Sequence, residues 1–85
     1  MDKKQFAEEI ADELVVGFDM EVGRISTTSR NVIIEITGGN NRGSLEDMVR
    51  SVVDDLALYF GVPLVFCGII IDLMSMTIVE VVLEF

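Results

Sequence analysis

The stretch VIIEI at 32–36 returns as TIVEV at 77–81, and each copy closes the same succession of patterns, one helical period followed by two strand periods. ADELVV (11–16) aligns with VDDLAL (53–58), and GFDMEVGRI (17–25) with GVPLVFCGI (61–69). The offset between the copies drifts by a few residues, as small loop insertions would cause. A chain built this way must fold as two similar units packed on each other. The units run over 2–37 and 44–85 in a single domain of order α-β-β-α-β-β, with no Pro- or Ser-rich linker between them.

That order limits the architecture. A ferredoxin-like sandwich runs β-α-β-β-α-β, and moving its first strand to the end yields the order found here. The expected fold is therefore α+β: a pseudo-duplicated two-layer sandwich, circularly permuted ferredoxin-like, with a four-stranded sheet and both helices on one face. VIIEI and TIVEV, the most β-branched segments, belong at its centre.

Local patterns supply the elements. In DKKQFAEEIADELVV, Phe6, Ala7, Ile10, Ala11 and Leu14 recur at helical spacing, with Asp2 as the cap and Gly17 as the stop. FDMEV and NVIIEIT read as strands joined through STTSRN. SLEDMVRSVVDDLALYF is the second helix, expected to start on a Ser44 cap with Asp47 three residues on, and to stop at Gly61 and Pro63. PLVFCGIII and MTIVEVVLEF are two further strands, turned near DLMS.

Composition bears on function. In a chain of 85 residues, 51% are hydrophobic and the mean hydropathy is +0.52. So small a domain has little interior in which to hide them, which points to a partner or to a second copy. Fifteen acidic residues against six basic ones give a formal charge of −9 and a pI near 4.1. Such a field repels nucleic acid and anionic membrane and attracts basic surfaces. The lack of histidine removes Ser-His and Cys-His nucleophile pairs and Cys/His zinc sites, and a single cysteine allows no internal disulfide. No cofactor or metal is expected. MDKKQFAEEIADEL carries acids where an export signal would carry its apolar run. The longest uncharged segment, 56–71, is too short to span a bilayer as a helix. The expected location is cytoplasmic.

Strand alternation then sorts the sheet. Phe18, Met20, Val22, Val32, Ile34, Ile36, Leu64, Phe66, Ile70, Val79, Val81 and Leu83 are expected to face the helices. The opposite face would carry Ile25, Ile33, Glu35 and Glu80, together with an apolar second hairpin. Val65, Cys67, Ile69, Ile71, Ile78 and Val82 are on that reading an oligomer interface, most simply that of a homodimer. Glu8, Glu9, Asp12, Glu13, Asp54 and Asp55 form an acidic partner surface on the helices. Glu35 and Glu80 hold matching places on the central strands, close enough to share a proton or a hard cation. Cys67, without a base or cation beside it in sequence, reads as an inert buried thiol.

One loop resembles chemistry. In ITGGNNRGSLEDM, glycines at 38 and 43 bracket four residues ahead of a helix, near the spacing of a phosphate-binding loop. Ser44 stands where that loop needs lysine, and Leu45 where it needs the metal-binding hydroxyl. The segment reads as the joint between the units, with Arg42, Gly43 and Ser44 left as a candidate anion site. The functional expectation is a small acidic non-enzymatic interaction module, an inhibitor or adaptor of the phage or mobile-element type. It would present a nucleic-acid-like acidic surface to a basic partner. The alternative is a structural protein that self-assembles through its sheet face.

Overall fold

The computed structural model describes residues 1–85. Helix α1 (Lys3–Phe18) leads to strands β1 (Met20–Thr27) and β2 (Asn31–Gly39). A 3-10 turn (Gly43–Leu45) opens α2 (Glu46–Phe60), and β3 (Phe66–Asp72) and β4 (Thr77–Glu84) complete the chain. The four strands form one antiparallel sheet in the order β1-β2-β4-β3, so the two β-branched strands take the central places as expected. Both helices cover the same face. Phe6, Ile10 and Leu14 of α1 and Val49 and Val53 of α2 join Val32, Ile34, Val81 and Leu83 in one wholly apolar core. Burying each of these large side chains contributes about 1.5–3 kcal/mol. No helix is long and apolar enough to cross a membrane.

Helix α1 begins as its sequence predicts. The Asp2 carboxylate accepts from the Gln5 amide at 2.8 Å, and the Gln5 side chain accepts from the Asp2 amide at 3.0 Å, a reciprocal capping box. It runs one residue past Gly17 and stops on Asp19, whose backbone is left-handed (φ 59). Aspartate tolerates that region better than most side chains. Helix α2 departs from expectation at its start: neither Ser44 nor Asp47 caps it. Ser44 lies inside the 3-10 turn, and Leu45 precedes the helix without a side-chain cap. Gly61 does end α2 in the left-handed region (φ 66).

Two bulges decide which residues face inward. In β1 the register jumps from Val22↔Ile36 to Ile25↔Ile34, so Gly23 and Arg24 together oppose Glu35. Val22 and Ile25 then both point to the core, and Ile25 leaves the open face expected for it. A side chain at Gly23 would collide with the Glu35 carboxylate and come within 2.7 Å of Thr37 Cγ2, so any larger residue there would have to displace both side chains. In β4 the register passes from Ile70↔Glu80 to Ile71↔Ile78 and leaves Val79 unmatched. Ile78 and Val81, three apart, are both fully buried, and Val79 is not a core residue.

The joint between the units is stitched into the sheet. After β2 leaves β4 at Glu35↔Glu80, residues 41–43 take up the same edge of β4. The Ile78 amide donates to Asn41 O at 2.7 Å, the Asn41 side-chain amide donates to Ile78 O at 2.9 Å, and the Gly43 amide donates to Met76 O at 2.8 Å. The tight return at Gly39 (φ 75) makes this possible, since a Cβ there would stand 2.5 Å from Asp19 O. Gly61 faces open space and has only its dihedral to satisfy. Gly61→Ala should therefore lower stability by about 1 kcal/mol, and Gly39→Ala by at least about 2 kcal/mol. Urea midpoints measure both, and equal losses would show that the packing around Gly39 contributes nothing.

Candidate functional site

The sheet face turned away from the helices is covered by no other element. Its middle row runs Ser26, Ile33, Val82 and Gly68 across β1, β2, β4 and β3. The Phe66 ring lies over Gly68, its edge 3.2 Å from where a Cβ would stand, with Val82 beside the same point. Phe66, Val82 and Ile33 thus form an apolar strip over three strands, extended by Ile70 on β3. Phe66 is 56% exposed and Ile70 46%. Carboxylates bracket the strip: Glu84 beside Phe66 at one end, Glu80 beside Ile70 at the other, and Glu35 next to Glu80. Strands β2, β3 and β4 contain no Lys or Arg.

Glu35 and Glu80 are direct cross-strand partners, as their matching places in the repeat predict. Glu35 turns toward the β1 bulge, where Oε1 accepts from the Arg24 amide at 3.2 Å. Nowhere in the molecule do three or more Cys, Asp or Glu side chains converge as a metal site would need.

The six carboxylates expected to form an acidic surface are all exposed: Glu8, Glu9, Asp12 and Glu13 on α1, Asp54 and Asp55 on α2. None takes part in an ion pair. The ion pairs in the molecule belong to Arg50, with Glu46 at 3.0 Å and Asp47 at 3.8 Å. Arg50 Nε also donates to Cys67 O at 3.3 Å, tying α2 to β3.

The candidate anion site at Arg42, Gly43 and Ser44 does not form a cradle. The Gly43 amide is spent on Met76 O and the Leu45 amide on Arg42 O, so neither is free to bind an anion. Gly43 is needed for close approach, since a Cβ would meet Met76 O at 3.0 Å. Arg42 pairs its backbone with Thr77, and Ser44 is exposed.

Four of the six residues expected at an oligomer interface lie elsewhere. Cys67 and Ile78 are buried, and Ile69 and Ile71 pack against the core from the helix side. Only Val82 lies on the open face within the sheet, while Val65 is exposed just ahead of β3. Strand β3 is apolar on both parities, so alternation alone could not choose between them. Leu64 and Val62 fill the core from the preceding loop, which frees Phe66 to turn outward over Gly68. Phe66 and Ile70, taken from sequence for core residues, are thereby part of the exposed strip. The bulky side chain two residues from a strand glycine was the signal for this, because a ring can occupy space the glycine leaves empty.

Two hollows remain on the helix side. One, of about 350 Å³, lies between the end of α1 and the first turns of α2, against Phe18, Asp47, Met48, Ser51 and Val52. The other, of about 280 Å³, lies beside Leu58, Val62 and Leu64. Each holds one carboxylate, Asp47 or Asp54, among mostly apolar side chains. Comparisons with known protein families, curated proteins and solved structures find no match.

Burial pushes the Cys67 thiol from its ordinary value of 9 up to about 11; Arg50 partly offsets this and Asp54 adds to it. A raised thiol pKa favours the folded state below pH 9, and that contribution is lost as pH climbs from 9 to about 11. Two pKa units leave about 100-fold less thiolate near pH 8. Iodoacetamide should accordingly label folded Cys67 at least about 100-fold more slowly than the urea-unfolded chain. Comparable rates would place the thiol at the surface.

Proposed function

We propose that this chain is a non-enzymatic interaction module that acts in the cytoplasm and captures a basic protein partner through its acidic surfaces. The observation that carries the reading is the placement of charge on α1. Its first turn holds Lys3 and Lys4 and no acid, while Asp12 and Glu13 sit toward the C-terminal half. Lys3 and Lys4 run against the helix macrodipole, which favours acids in the first turn, and only the Asp2 cap follows it. Glu8 with Asp12 and Glu9 with Glu13 are like-charge pairs at i,i+4, each unfavourable by a few tenths of a kcal/mol. No ion pair offsets them. Charges that serve only solubility need not take the destabilising arrangement, whereas a surface selected for binding gives up some stability at its contact residues. An inhibitor or adaptor that occupies the basic groove of a nucleic-acid-binding protein fits this surface.

Neutralising Glu9, Asp12 and Glu13 to Gln, Asn and Gln removes both like-charge pairs and should raise stability by up to about 1 kcal/mol in urea. The same variant should bind decalysine at least about threefold more weakly by fluorescence anisotropy. A loss of stability would show that these acids serve the fold, and unchanged decalysine affinity would show that they do not present the basic-partner surface.

A further inference from the structure

The open sheet face carries an apolar strip bracketed by carboxylates. We propose that the strip formed by Phe66, Ile70, Val82 and Ile33 receives a short cationic amphipathic helix of the partner protein. Lys or Arg at its flanks would meet Glu84 at one end and Glu35 and Glu80 at the other. The proposal rests on the interaction-module reading above and gives it a site.

The dimensions agree. The strip spans β2, β4 and β3, about 10 Å between the outer two strands at a spacing of about 4.8 Å. A packed α-helix is about 10 Å across. Phe66 to Ile70 covers about 13 Å along β3, which corresponds to about nine helical residues, between two and three turns. Such a helix would present apolar side chains at i, i+3 or i+4 and i+7 to the strip and basic ones to either side.

Charge distinguishes this occupant from a second copy of the chain. The covered strands β2, β3 and β4 carry no Lys or Arg, and Arg24 in the β1 bulge is the only cation of the sheet. Packing the face on its own copy would bring Glu35, Glu80 and Glu84 of both chains into one desolvated layer with only Arg24 of each chain as counter-charge, which is unfavourable. A basic helix brings those counter-charges with it, and partial exclusion of water around the apolar strip strengthens each pair. The Arg50 guanidinium already occupies the Cys67 carbonyl, and this favours approach to the face over addition of a strand at the β3 edge.

The test uses a 14-residue peptide with leucine on one helical face and lysine on the rest, and a scrambled peptide of the same composition. Binding is read by amide chemical-shift mapping and by fluorescence anisotropy on the full chain. The expected result is shifts at Ile33, Glu35, Phe66, Ile70, Glu80 and Val82, with the scrambled peptide at least tenfold weaker. Ile70→Ser should lower affinity at least fivefold, while the neutralised α1 variant lowers it less than threefold. The wild-type shift map decides the site even where a variant folds poorly. Shifts confined to α1, or equal binding of the scrambled peptide, would overturn the docking site and leave the acidic-module reading intact. Failure of both peptides to bind would overturn both readings. A free chain that is dimeric at micromolar concentration, with Phe66 and Ile70 protected, would assign the face to a second copy and overturn the proposal.

Discussion

Ile78 and Val81 are both fully buried with only two residues between them, which a regular strand cannot arrange, because its side chains alternate. The β4 bulge at Val79 reconciles the two and sets the inside and outside of the sheet. Before the bulge, β4 presents Ile78 to the helices and turns Ile71 of β3 inward with it. After the bulge, Val81 and Leu83 face the helices, and Glu80, Val82 and Glu84 face out. The bulge holds because its loosened backbone groups are met from the other side. Asn41 gives its carbonyl to the Ile78 amide and its side chain to the Ile78 carbonyl. A buried amide or carbonyl left unpaired would cost about 1–3 kcal/mol. The loop between the two units is therefore a structural clasp on the bulge.

From that arrangement follows the character of the exposed face. The interior takes one apolar set, and the remaining apolar side chains of β3 and β4 have no place but the open side, among the outward glutamates. A strip of Phe66, Ile70, Val82 and Ile33 bracketed by carboxylates is the consequence. The same molecule carries Glu8, Glu9, Asp12, Glu13, Asp54 and Asp55 on its helices without ion pairs and spends Arg50 on Glu46, on Asp47 and on fastening α2 to β3. Both surfaces are thus short of cations, and a partner that supplies cations and apolar side chains together satisfies both deficits.

Much of this was legible in the residues. The repeated α-β-β pattern, the Asp2 cap, the Gly61 stop and the central placement of VIIEI and TIVEV all followed from periodicity and β-branching, and the pairing of Glu35 with Glu80 from the repeat. What periodicity could not show was the parity of β3, where FCGIII is apolar in both phases, and the two bulges, where Val22 with Ile25 and Ile78 with Val81 break the period of two. A bulge depends on the strand opposite, on Glu35 needing the space of Gly23 and on Asn41 reaching Ile78, and such partners are remote in sequence. The loop that resembled a phosphate cradle was misleading for the same reason. Its glycines answer to backbone neighbours, Asp19 for Gly39 and Met76 for Gly43, which only the folded sheet brings near.

The parity of β3 is the point on which both the core and the exposed strip depend, and it can be read directly. In a Cys67→Ala background, single cysteines at Ile69 and Ile70 place a thiol on each side of the strand. The account predicts that Ile70→Cys is alkylated within about tenfold of the unfolded rate, while Ile69→Cys is protected to a much greater degree. Fast labelling at 69 with protection at 70 would contradict it, and would return Phe66 and Ile70 to the core.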